Sequence, residues 1–111
     1  MEQPQPAPAF YSVEEYLELE EHSETRHEYY RGEVFAMSGT SGTHNIVKQN
    51  CVISLRLALR GKGCRVYDEN VRLAVAEGEF YTYPDVMVTC HPNDSPDKNM
   101  VHQPVLLIGV L

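Results

Sequence analysis

Hydrophobic and polar positions divide this chain into segments of two different periods. Ser12-Val13-Glu14-Glu15 has the form of a capping box, with Ser12 as N-cap and Glu15 three residues on. Tyr16 and Leu19 then fall at helical spacing, which predicts a short acidic surface helix to about Glu20. His27 to Ser38 reads as a hairpin: Tyr29, Tyr30, Val34 and Phe35 favour strands, and Arg31-Gly32 sits at the turn. Gly39-Thr40-Ser41-Gly42-Thr43 is a loop of small residues leading into a long helix, expected from about His44 to Leu59. In that helix Val47, Cys51, Leu55 and Ala58 form the apolar stripe, widened by Ile46, Ile53 and Leu57, and Gly61-Lys62-Gly63 stops it. Beyond it the period shortens. Cys64–Tyr67 and Val71–Val75 alternate as strands do, Glu77-Gly78-Glu79 is a turn, and Asp85–Cys90 is an apolar run suited to a central strand. His91–Gln103 reads as a polar loop, and Val105–Leu111 as a buried, nearly all-apolar strand.

The resulting fold class is α+β: an N-terminal helix, a β-hairpin, one long packed helix and a mixed sheet. Residues 1–9 read as a disordered Pro-rich lead and 10–111 as one partial domain. A final strand apolar on both faces needs cover on both, and one long helix supplies one. The chain therefore reads as C-terminally truncated, its last strand an apolar edge that a homodimer is expected to cover.

Composition changes the picture little. With 42% hydrophobic and 23% charged residues among 111, the chain fits one small globular domain. No apolar run is long enough for a membrane helix, and Met1–Pro8, with no basic start and no apolar stretch, does not read as a signal peptide. Cys51, Cys64 and Cys90 form no CxxC pair, and the odd count suggests free thiols in a reducing cytoplasm. The net charge of −7 argues against a general polyanion-binding surface. It leaves room for carboxylates that hold a metal, which then meets a phosphate.

The candidate chemistry rests on Glu33 inside the second hairpin strand, His44 at the start of the long helix, and Asp85 after Pro84. Each also has an ordinary reading, as a turn, cap or surface residue. Together, Arg26-His27-Glu28-Tyr29, Gly32-Glu33-Val34, Met37-Ser38-Gly39, His44-Asn45, Tyr83-Pro84-Asp85-Val86 and Pro104-Val105-Leu106-Leu107-Ile108 resemble the Uma-type restriction endonuclease family of the PD-(D/E)XK nucleases. The resemblance implies an α/β nuclease-like core, Mg²⁺ as cofactor, DNA as substrate, and Asp85, Glu33 and His44 as site residues, with Asp85 and Glu33 on the metal. It also implies a second metal-binding Glu, but Gly109 occupies that position here. A catalytic Lys is expected on a later helix. On this reading the 111-residue chain is inactive, because losing one preorganised group of this kind costs ~10²–10³ in rate. Two alternatives remain: a catalytically dead nuclease-like module that binds a partner, and an unrelated small α+β protein.

Overall fold

The computed structural model describes residues 10–39 and 41–110. The Pro-rich lead, Thr40 and Leu111 lie outside the described residues. Helix α1 (Val13–His22) and helix α2 (Gly42–Ala58) accompany eight strands: β1 (His27–Tyr30), β2 (Glu33–Ala36), β3 (Arg65–Asp68), β4 (Arg72–Ala76), β5 (Phe80–Thr82), β6 (Val86–Thr89), β7 (Met100–Val101) and β8 (Pro104–Ile108). The α+β class read from the sequence is the class observed. The strands, however, form two sheets. One runs β2-β1-β5-β4-β7 and the other β3-β6-β8. The first is mixed, since β4 pairs β5 antiparallel and β7 parallel.

Local chemistry explains the element boundaries. Ser12 caps α1 reciprocally with Glu15. Arg31 (φ 49°) and Gly32 (φ 95°) both take positive φ, the two-residue turn whose twist matches the flanking strands. Ser41 caps α2, accepting from the His44 amide at 3.1 Å, so this helix starts two residues before the expected His44. Strands β5 and β7 escaped the sequence reading because they have three and two residues, too few to establish a period of two.

Two clusters make the core. Tyr16 of α1 packs with Tyr29, Ala74 and Tyr81 on one face of the five-stranded sheet. Leu73 packs with Met87 and Val101 on the other. Leu73 and Ala74 are consecutive in β4 and point to opposite faces, so this strand joins both clusters and couples the sheets. Helix α2 lies on the three-stranded sheet, against β3 and β6.

Four sequence expectations need correction. The acidic face of α1 is not wholly solvated. The Glu20 side chain is only 2% exposed and accepts from the His27 amide (3.0 Å), His27 Nδ1 (2.6 Å) and the Tyr83 hydroxyl (2.8 Å). The α2 stripe holds in part. Cys51 and Leu55 are half-buried on the inward side with His44, Lys48, Val52 and Leu59, while Val47 and Ala58 of the stripe, and Ile46, Ile53 and Leu57 beside it, are exposed. The final strand is not buried: β8 is an edge, with Val105, Leu106 and Leu107 exposed. Finally, Cys64 and Cys90 are disulfide-bonded, leaving Cys51 free. Antiparallel register sets Arg65 opposite Thr89, which places Cys64 opposite Cys90 one step outside the pair. The thiol argument for a reducing compartment therefore loses its premise. No helix among the described residues is long and apolar enough to cross a membrane.

The segment 91–103, read as a polar loop, is organised around Asp94, which is 2% exposed. Its carboxylate accepts from Thr89 Oγ1 (2.7 Å), the His102 amide (2.9 Å) and the Gln103 amide (2.9 Å). Burial pushes this carboxyl up, but those donors outweigh it and hold it below the usual range.

Candidate functional site

Asp85 stands immediately before β6, the central strand of the three-stranded sheet. Its approach is fixed from behind. Pro84 restricts the backbone, and Tyr83 is anchored by its hydroxyl, which donates to Glu20 and accepts from Arg72 Nε at 3.1 Å. Burial raises the Tyr83 phenol, keeping it a protonated donor. Two groups meet the Asp85 carboxylate. The Val110 amide donates to Oδ2 at 2.7 Å, and His44 Nε2 lies 3.4 Å from the same oxygen. Asp85 and His44, two of the sequence candidates, are thus brought together, with side chains 24% and 17% exposed.

Glu33 is not brought to them. It pairs with Tyr30 beside the hairpin turn and is exposed. The cleft beside Asp85, about 290 Å³, is lined from the opposite end of the hairpin by Arg26, Met37 and Ser38. Four residues of strand from Glu33 to Met37 amount to roughly 13 Å.

Glu69 occupies the position across the cleft from which the sequence led us to expect Glu33. It lines the same cleft as Asp85 and is held by Lys48, whose Nζ donates to Glu69 Oε2 at 2.9 Å and lies 3.7 Å from Asp68 Oδ2. Lys48 is 7% exposed. Its hydrogen bond to Glu69 is the main reason its ammonium is held above the ordinary lysine range, so it stays charged in spite of burial. The sequence reading missed Lys48 and Glu69. The available signal was Lys48 itself: it follows His44 by one helical turn, so a helix face that begins with two polar groups needs polar partners.

The donor set suits a hard cation in kind. Glu69 Oε1 is buried without a hydrogen-bond partner, and the oxygens are carboxylate. Mg²⁺ takes one or two protein carboxylates and keeps several waters. In number the set is sparse. Among the described residues, the group of three His, Cys, Asp or Glu close enough to share one ion is Glu18, Glu21 and His22, all exposed on α1 and not at the cleft. Gly109 adds no ligand. Since Val86 pairs with Ile108, Asp85 falls opposite Gly109, and a Cβ built there would meet nothing within 4 Å. The place has room for a side chain and holds none.

The profile of the Uma2 family, described as "Putative restriction endonuclease", matches residues 13–111. Two uncharacterized proteins of Synechocystis sp., slr1290 and sll1609, are each 33% identical, over 100 and 99 residues. The matches take in 90% and 87% of this chain but 53% and 56% of the relatives, so the chain spans about half their length. A crystal structure from Anabaena variabilis, described as a "putative nuclease belonging to DUF820", shares the fold at TM-score 0.64 and 22% identity, over 81% of this chain and 51% of that one. The profile match across residues 13–111, nearly all of the described domain, places this chain in the Uma2 family.

Proposed function

We propose that this chain carries the Asp85-centred part of a metal-dependent phosphodiester-hydrolysing site and, by itself, does not cut DNA. The observation behind this reading is Asp85 at the head of a central strand, beside His44 and facing Glu69 in one cleft. Asp85 and Glu69 are the residues that would hold Mg²⁺. When bound, the metal would stabilise charge on a phosphate and acidify a water. The chain's own residues position that site. The Val110 amide orients the Asp85 carboxylate, and Lys48 fixes Glu69. His44 Nδ1 is buried without a partner, leaving Nε2 to face Asp85.

Two features support inactivity. Gly109 supplies no carboxylate beside Asp85. Lys48, the lysine nearest the cleft, is already committed to Glu69 and Asp68 and is not free to steady a phosphate.

Incubation with plasmid DNA and Mg²⁺ is the direct test. No cleavage is expected from the chain, nor from Gly109→Glu alone. Cleavage that Asp85→Ala abolishes would overturn the inactivity. The metal reading has its own readout, Tb³⁺ luminescence at the cleft, which Asp85→Ala should abolish. Unchanged luminescence in that variant would sink it.

A further inference from the structure

A second cavity, about 550 Å³, lies at the far end of α2 from Asp85. Arg56 and Arg60 form one wall, Arg65 and Tyr67 of β3 another, with Cys64 and Pro96 at the edge, and no carboxylate lines it. In a chain of net charge −7 this placement is unusual. Residues 34–67 contain none of the sixteen Asp and Glu, yet hold five of the nine Lys and Arg: Lys48, Arg56, Arg60, Lys62 and Arg65. The acidic bulk of the molecule and this segment are therefore electrostatically distinct.

Part of the pattern has an ordinary cause, since cations near the C-terminus of a helix offset its dipole. That accounts for Arg56 and Arg60 as helix residues. It does not account for Arg65, which comes from a neighbouring strand and faces the same cavity. Among the described residues, Arg56 and Arg60 make no side-chain hydrogen bond or ion pair, whereas Arg31 and Lys48 each find a carboxylate. Arg65 is held in place: Nη2 donates to the His91 carbonyl (2.9 Å) and the Asp94 carbonyl (2.6 Å). Arg65 Nε and Tyr67 Oη, buried polar atoms of two residues that line the cavity, have no hydrogen-bond partner in the protein. The free cations at the cavity are the Arg56 and Arg60 guanidinium groups, and oxyanion oxygens are the acceptors that suit them. Guanidinium groups meet phosphate oxygens in matched pairs, more favourably than they meet a monatomic anion.

We propose that this cavity is a phosphate-binding pocket that holds the backbone of a DNA duplex at a distance from the Asp85 cleft. The duplex assignment rests on the nuclease reading above; the phosphate chemistry does not. Helix α2 sets the separation. From His44 to Arg56 is twelve residues, roughly 18 Å of helix, or about five base-pair steps along one strand. A duplex laid along α2 could then reach both ends of the helix. An anchor of this kind would position DNA without reading its sequence.

The test measures binding of a fluorescein-labelled 20-base-pair duplex by anisotropy across a salt series without Mg²⁺. Arg56→Gln/Arg60→Gln should weaken binding about tenfold and lower the salt slope by about 2, since each phosphate contact contributes ~0.9. Arg31→Gln, which neutralises an exposed cation lining neither cavity, should leave affinity within twofold. Arg56→Lys/Arg60→Lys should keep the salt slope, and circular dichroism should report the same fold throughout. Affinity within twofold for the Gln pair overturns the proposal. So does binding lost in Asp85→Ala but kept in the Gln pair, an outcome that leaves the Asp85 reading standing. Inorganic phosphate separates the two sources of the anion. If calorimetry shows phosphate binding that the Gln pair loses but no duplex binds, the pocket takes free phosphate and the DNA assignment fails.

Discussion

Single polar residues decide much of this structure, and each does so because burial leaves it no solvent to fall back on. Lys48 is the example on α2. At 7% exposure it is tolerated because Glu69 and Asp68 face it, and removing either partner would leave a buried charge uncompensated. Asp94 is the example in the 91–103 segment, where three donors converge on one buried carboxylate. Asp94→Asn should lower stability at neutral pH by about 2 kcal/mol, since each donor is left with a weaker or mismatched partner. The sign of the pH dependence follows from the lowered folded-state value. The stabilisation is fully present above the ordinary aspartate value of 3.8 and is lost as pH falls through the lower folded one. The gap between wild type and Asp94→Asn in urea melts should thus narrow below pH 4. A gap that widens on acidification would contradict the assignment.

At the scale of elements, period and cap chemistry made α1, the hairpin and α2 legible, but not the way α2 is turned. Ile46, Val47, Ile53 and Leu57 face outward, because His44 and Lys48 turn their own face toward Asp85, Glu69 and Asp68. The pairing of β3 with β6 also escaped the sequence, and with it the Cys64–Cys90 bond that ties their ends. The bond closes a loop with a sequence separation of 26, so chain entropy alone ascribes about 3.5 kcal/mol to it. Reduction should lower the urea midpoint accordingly, and Cys64→Ser/Cys90→Ser should match the reduced chain. A midpoint insensitive to reductant would show that the two sulfurs are not bonded in solution.

At the scale of the whole molecule, apolar surface is left uncovered among the described residues. Ile53 and Leu57 on α2 and Val105 and Leu107 on β8 are all at least 50% exposed, and β8 is a free edge whose backbone can pair with another strand. We expect self-association that grows with concentration, measured by sedimentation velocity. Val105→Lys/Leu107→Lys should suppress it by charging the edge. A wild-type chain that sediments as a monomer up to millimolar concentration would refute this.

The sequence by itself determined the α+β class, the Ser12 cap of α1, the existence of the long helix α2 and the Arg31-Gly32 turn. Those features are local, written in period, propensity and short motifs that a linear reading can find. Tertiary structure decided the rest. It kept Glu33 at the hairpin turn and put Glu69 across the cleft from Asp85, joined Cys64 to Cys90, and gathered Arg56, Arg60 and Arg65 around one cavity. Each of these depends on which strands pair and which face of α2 turns inward. Those choices are made by contacts between residues far apart in the chain, where no spacing along the sequence records them.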